Sequence, residues 1–285
     1  MPELPEVETV RRGLAPVMEG KRILRLDQRR ADLRFPLPER FAERVANARI
    51  NRLARQAKFL SAHLSTGEVL VMHLGMTGRF TISGKPQGQE TGKFHHETGG
   101  LTAHDHVVFH MEGGETVTYN DPRRFGFMEL WPAATFEAYP RLKAMGPEPL
   151  SNGFSAAYLD TALSGKAAPI KAALLDQSVI AGLGNIYVCE ALYRAGVSPK
   201  RLSRSVPGVR AERLAPAINA VIAEAIAAGG SSISDFAGTD GGLGYFQHRF
   251  DVYDREGEAC KRCGASVKRI VQSGRSTFYC PTCQR

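Results

Sequence analysis

The chain has 285 residues, 43% of them hydrophobic and 23% charged, which supports folded domains with cores of their own and excludes wholesale disorder. Lys and Arg number 37 against 29 Asp and Glu, a formal charge of +8 that favours a polyanionic partner such as nucleic acid or an anionic surface. Residues 1–20 carry Glu3, Glu6, Glu8, Arg11 and Arg12 and no apolar run, so they do not form a secretory signal. The most apolar stretch, AINAVIAEAIAAGG, is short and contains Glu224, which reads as a core helix rather than a membrane span. A cytoplasmic protein without membrane attachment is expected, in a compartment where structural disulfides are rare.

The opening, MPELPEVETVRRGL, predicts a helix over 3–18: Val7, Val10, Leu14 and Val17 recur at helical spacing and Gly20 follows the end. Pro2, Glu3, Pro5 and Glu6 then have two readings. Proline suits a first helical turn and carboxylates suit a helix N-terminus. Alternatively, removal of Met1 makes Pro2 the chain terminus, and its free amine becomes a reagent. After Gly20 the period changes. RILRLDQR, ARINRLAR, KFLSAHL, EVLVMHLG, GRFTIS, DHVVFHM, ETVTYN and RRFGFMEL alternate like short strands between turn residues. About eight strands in 21–131 predict a β-sandwich with the helix packed at one end. Residues 84–106 read as a long surface loop. Its His95, His96, His104 and His106 have no regular element to fix them as metal ligands. Residues 140–154 are rich in Pro and Gly and read as a linker. SAAYLDTAL, PIKAALLDQ, NIYVCEALYRAG and VRAERLAPAINAVIAEAIAA then predict helices, followed by a glycine-rich loop over 229–247. The fold class is α+β and multidomain: an N-terminal domain 1–139, a linker 140–154, a helical domain 155–248 and a terminal module 249–285.

Four of the five cysteines lie in that module. Cys260 and Cys263 form one C-x2-C and Cys280 and Cys283 another, separated by ASVKRIVQSGRSTFY, which reads as a β-hairpin around Ser273-Gly274. Two such turns facing each other supply four thiolates, the donor set of one structural zinc ion. Cys189, alone in a helical stretch, reads as a small buried side chain. From Cys260 onward the module holds Lys261, Arg262, Lys268, Arg269, Arg275 and Arg285 and no acid, a charge balance suited to phosphate.

MPELPEVETVRRGL, HLGMTGRF, DPRRFG, GPEPL, GLGNIY and the paired C-x2-C occur in that order across the whole chain. Together they closely resemble the bacterial formamidopyrimidine-DNA glycosylases, also called 8-oxoguanine DNA glycosylases. The related endonuclease VIII glycosylases share the Pro-Glu start and the zinc ribbon but typically have Gly where this chain has Leu4. The resemblance implies a β-sandwich, a helix–two-turn–helix domain and a zinc finger, with damaged double-stranded DNA in the cleft between domains. It further implies a DNA glycosylase/AP lyase of base excision repair that removes oxidised purines and then cleaves by β,δ-elimination. A nucleoid-associated monomer is expected.

Site residues follow by position. Pro2 would attack the sugar C1′ as a secondary amine, with Glu3 as general acid at O4′. Glu6 would give support, its alternative being helix-terminal charge. Lys58 matches a lysine near the nucleophile that contacts phosphate, against the alternative of an edge-strand lysine. Met76, Arg123 and Phe125 match a trio that fills the hole left by a flipped base, with Arg123 on the orphaned cytosine; the alternative for Met76 and Phe125 is the core. Lys171, Asn185 and Arg275 match DNA-contacting residues, Arg275 at the tip of the zinc hairpin. Residues 230–246 correspond to the loop that covers the flipped base. The 84–106 loop looks longer than usual for the family and falls outside the motifs. A relative acting on oxidised pyrimidines, and a non-catalytic zinc-ribbon DNA binder, are the competing readings.

Overall fold

The computed structural model describes residues 2–84, 102–231 and 244–285. The chain forms two compact units, Met1–Lys143 with Gly229–Gly244, and Ala144–Ala228 with Tyr245–Arg285.

Unit 1 begins with helix α1 (Leu4–Met18). Its start is written in the sequence: Glu3 is the extended N-cap, Pro5 occupies the first turn, and the Glu6 carboxylate reaches back to accept the Glu3 N–H at 2.9 Å. Leu4, Val7, Val10, Leu14 and Met18 form the buried stripe. Eight strands follow: β1 (Ile23–Gln28), β2 (Ile50–Gln56), β3 (Phe59–Leu64), β4 (Glu68–His73), β5 (Arg79–Ser83), β6 (Asp105–Met111), β7 (Thr116–Asn120) and β8 (Phe127–Pro132). They make two four-stranded sheets, ordered β1-β6-β7-β5 and β2-β3-β4-β8, with antiparallel pairing throughout. One core joins α1 to the inner faces of both sheets, through Val10, Leu14, Leu26, Leu53, Leu60, Leu70, Phe80, Phe109 and Met128. The last strand starts at Phe127 rather than Arg123, because the preceding residues form a turn whose Gly126 N–H is taken by the Asp121 carboxylate. Two short helices, α2 (Phe41–Val45) and α3 (Pro140–Lys143), are too brief to carry a readable period, and α3 lies within the expected linker. Residues 85–101 of the expected long loop, with His95 and His96, lie outside the described residues.

Unit 2 holds α4 (Ala156–Leu163), α5 (Ile170–Leu175), α6 (Asn185–Ala195), α7 (Val209–Ala227) and the hairpin β9 (Lys268–Gln272) and β10 (Arg275–Tyr279). Ser155 caps α4 by accepting the Tyr158 N–H at 3.1 Å, and Gly196 ends α6 in the left-handed region at φ 69°. Helix α6 is the centre of this unit, packed against α5, α7 and β10. The hairpin turns at Ser273 and Gly274, both at positive φ (49° and 71°), the conformation a two-residue turn demands. Among the described residues no helix is long and apolar enough to cross a membrane.

Candidate catalytic terminus and nucleic-acid interface

Pro2 and Glu3 lie at the N-terminal end of α1, and both are buried, Glu3 to 3% exposure. Glu6 organises this end. One oxygen holds the Glu3 N–H; the other accepts the Ser231 N–H at 2.8 Å and its hydroxyl at 3.0 Å. Glu6 therefore serves the helix end as half of a capping box and also ties Ser231 to the first turn of α1. Residues 232–243, most of the expected lesion-covering loop, lie outside the described residues.

Lys58 follows Ala57, which turns the chain at φ 53° between β2 and β3, the two strands that pack on α1. It is buried to 6%, so an exposed edge lysine is excluded. Its charge reaches His73 on the neighbouring β4. Burial first, then Lys58, Arg34 and Arg141, hold the His73 imidazole at about 4, so it is neutral at physiological pH. The neutral ring is stacked 5.3 Å from Phe127, and its Nδ1 accepts the Gly75 N–H at 3.0 Å. Glu8 ties α1 to β2 by an ion pair with Arg55 and pairs along α1 with Arg11 and Arg12.

Met76 and Phe125 are exposed, at 40% and 43%, which rules out the alternative that they are core residues. The Arg123 guanidinium lies 4.6 Å from the centre of the Phe125 ring. All three occupy turns of unit 1 and project from it.

In unit 2 the residues expected on DNA divide. Arg275 is exposed at the start of β10, beside the turn. Lys171 is wholly buried, and its ammonium donates to the Ser276 carbonyl at 2.9 Å and the Thr277 hydroxyl at 2.7 Å. Asn185, first residue of α6, donates to the same Ser276 carbonyl at 2.9 Å. Two helices therefore grip the strand at the residue after Arg275. Sequence reasoning missed a third clamp. Glu190, wholly buried on α6, accepts the N–H groups of Asp251, Val252 and Tyr253 at 2.9, 3.0 and 2.8 Å. Burial raises its pKa, and those three donors work in the other direction. The available signal was an acid inside the apolar run IYVCEAL.

The four hairpin cysteines converge, with all sulfurs within 4.8 Å of one another. Cys260 and Cys283 are 3.9 Å apart and Cys263 and Cys280 3.5 Å. Tetrahedral thiolates at about 2.3 Å from zinc stand about 3.8 Å apart, so the donor set and spacing fit one structural ion. Burial alone would raise the Cys260 thiol. The Tyr193 hydroxyl and the Arg262 and Cys263 amides outweigh it, lowering Cys260 to about 6 and favouring the ligating form. Among the described residues no other group has ligand geometry. His106 lies buried on β6, its Nε2 2.8 Å from the Asp121 carbonyl oxygen, and Cys189 is a buried thiol in the apolar cluster beneath the hairpin.

A basic hairpin organised by one metal and clamped by buried polar groups is the build of a zinc-dependent nucleic-acid-binding module, and unit 1 adds to it an enzyme-like buried acid. The family models give this class its particulars. Residues 1–128 match the formamidopyrimidine-DNA glycosylase N-terminal domain, 145–237 its H2TH domain, and 257–285 the zinc finger found in FPG and IleRS. The chain is 57% identical to formamidopyrimidine-DNA glycosylases of Ruegeria pomeroyi and of a Chelativorans species, covering 100% of both chains in each case. Among solved structures it is similar to the MutM (Fpg) protein of Thermus thermophilus, with 41% identity, a TM-score of 0.85, and 99% and 98% of the two chains covered. It is also similar to Lactococcus lactis Fpg in complex with abasic-site DNA, with 31% identity, a TM-score of 0.85 and 99% of both chains covered. The chain belongs to the formamidopyrimidine-DNA glycosylase family.

Proposed function

We propose that the chain is a bifunctional DNA glycosylase and AP lyase that removes oxidised purines, 8-oxoguanine and formamidopyrimidines, from damaged duplex DNA, with Pro2 as nucleophile. The observation that carries the site assignment is the pairing of Pro2 with the buried carboxyl of Glu3 at the positive end of α1. Within a peptide bond the proline nitrogen has no lone pair to give, so Met1 must be removed. A free α-amine has a reference value of about 7.7–8.0, and the positive end of the helix favours its neutral form.

The secondary amine attacks C1′. The bond from C1′ to the damaged base breaks, and the base leaves with a proton. Glu3 protonates O4′ as the sugar ring opens, leaving an iminium ion between Pro2 and C1′. The iminium acidifies C2′–H. Loss of that proton expels the 3′ phosphate, and a second elimination expels the 5′ phosphate. Meanwhile Met76 and Phe125 occupy the space left by the flipped nucleotide, and Arg123 meets the orphaned cytosine. Their exposure on turns supports this reading. Arg275 takes a backbone phosphate, and the buried Lys171 and Asn185 hold its strand. The protein works as a monomer on the bacterial nucleoid, in the cytoplasm.

The test is borohydride trapping. Mature protein incubated with 8-oxoguanine duplex and borohydride should yield a covalent adduct mapping to Pro2, and intact mass should show Met1 absent. An unmodified protein that does not cleave would leave a non-catalytic DNA binder, and a Pro2→Gly variant that cleaves as well as the parent would remove Pro2 as the nucleophile. Excision of thymine glycol in preference to 8-oxoguanine would transfer the chain to the pyrimidine-specific relatives.

A further inference from the structure

The turns bearing Met76 and Arg123–Phe125 come from distant parts of the sequence, yet one buried carboxylate holds both. Asp121 is wholly buried. Its Oδ1 accepts the Thr77 hydroxyl at 2.5 Å, and its Oδ2 accepts the Gly126 N–H at 2.8 Å and the Tyr119 hydroxyl at 3.2 Å. Thr77 closes the circuit, its hydroxyl oxygen accepting the Arg123 N–H at 3.3 Å. Thr77 directly follows Met76, and Gly126 directly follows Phe125, so the carboxylate grips each turn one residue from its projecting side chain.

The backbones also interlock. A Cβ added at Gly75, whose φ is 66°, would lie 2.3 Å from the Phe125 carbonyl carbon; one at Gly126 would lie 2.7 Å from the carbonyl oxygen of His73, where the chain enters the first turn. Glycine at both places is a condition of contact between the turns. His73 secures the other end of the first turn through the Gly75 N–H.

A carboxylate removed from water is costly unless its lone pairs are filled, and here Thr77 of one turn and Gly126 of the other fill them together with Tyr119 of β7. Separating the turns would take the Thr77 hydroxyl away from it. We propose that Asp121 is a positioning residue that fuses the two turns into one rigid tool, so that Met76, Arg123 and Phe125 enter the duplex together and opposite-base reading by Arg123 is coupled to hole filling by Met76. This rests on the hole-filling role given above. Two independently mobile turns would each have to be ordered at every insertion; a preformed body is ordered once, on folding.

Thr77→Val keeps the side-chain shape and deletes the hydroxyl, whereas Thr77→Ser keeps it. Single-turnover excision of 8-oxoguanine opposite cytosine and opposite adenine would be measured, with borohydride trapping on a preformed abasic site as reference. Thr77→Val should lower the ratio of excision to trapping by about tenfold and shrink the cytosine-over-adenine preference, because small misplacements of contacting groups are amplified in rate. Thr77→Ser should restore both. Met76→Ala should cost less in the Thr77→Val background than in the parent. Asp121→Asn should behave like Thr77→Val, which stands in its place if the Asn variant fails to fold. An unchanged preference in Thr77→Val, or full additivity with Met76→Ala, would overturn the coupling while leaving the hole-filling role intact. If Met76→Ala and Arg123→Ala in the parent each left excision and opposite-base preference unchanged, the hole-filling role itself would fall, and the proposal with it.

Discussion

Lys171→Met separates two ways in which a lysine can serve DNA binding. In the structure its ammonium is wholly buried and donates to Ser276 and Thr277, so under the proposed function it would serve DNA binding through Arg275, the residue before Ser276. Methionine retains the apolar stem and removes the charged donor. Asn185 still holds the Ser276 carbonyl, so the hairpin stays attached while its exit direction loosens. One phosphate contact contributes about 0.9 to the slope of log K against log salt; between about 50 and 200 mM salt that is about 3.5-fold in affinity. Arg275→Ala should therefore flatten the slope by about 0.9, and Lys171→Met by the same amount or less. The double variant should be no worse than Arg275→Ala alone. The assay is fluorescence-anisotropy binding to an uncleavable abasic-analogue duplex across salt. Additive losses, with a slope flattened by two contacts in the double variant, would refute the argument and make Lys171 a direct phosphate ligand. A Lys171→Met protein with parental slope and affinity would also refute it.

Three further outcomes follow from the geometry. Glu8 is held at about 2 against an ordinary 4.5: burial would raise it, but hydrogen bonds from Arg11 and Arg12 and the charge of Arg55 outweigh this. Its stabilising effect is present above pH 4.5 and lost as pH falls towards 2; after solvent screening it amounts to about 1–2 kcal/mol, so the urea midpoints of the parent and Glu8→Gln should differ at pH 6, draw closer at pH 3 and converge near pH 2. A constant gap would show that Glu8 acts without its charge. Removing zinc with a chelator should melt the 257–285 hairpin and leave the β-sandwich folded, read by hydrogen exchange, since a structural ion supplies its module's folding energy; protection retained in the hairpin would contradict this. Glu190→Ala strands three backbone N–H groups and should destabilise by about 3 kcal/mol or more in urea unfolding, with loss of zinc retention; a change below about 1 kcal/mol would show that water satisfies them.

Much of the architecture is legible along the chain because its cause is local. Alternation of side chains in β1 to β8 follows from the two-residue period of a strand, and the stripe on α1 from the helical period. The cysteine spacing defines a metal site before any coordinates, because two residues between thiols suit one turn around one ion. The start of α1 is equally readable, since Pro5 and Glu6 answer needs that arise within a single turn. Short α2 and α3 escape, having too few residues to show a period. The family motifs locate Met76, Arg123 and Phe125, but whether these side chains face solvent or core depends on neighbours far away in sequence.

The sequence by itself determined the types of the longer elements, the two paired-cysteine turns, the excess positive charge and the placing of Pro2 and Glu3 before α1, because each is read from composition or from residues within a turn or two of one another. Tertiary structure alone decided that Lys171 is buried against β10, that Glu6 reaches Ser231, and that Asp121 holds two distant turns. These depend on which donor meets which acceptor after the chain has folded back on itself. A buried charge is tolerated only where such partners assemble, and no local pattern encodes their arrival.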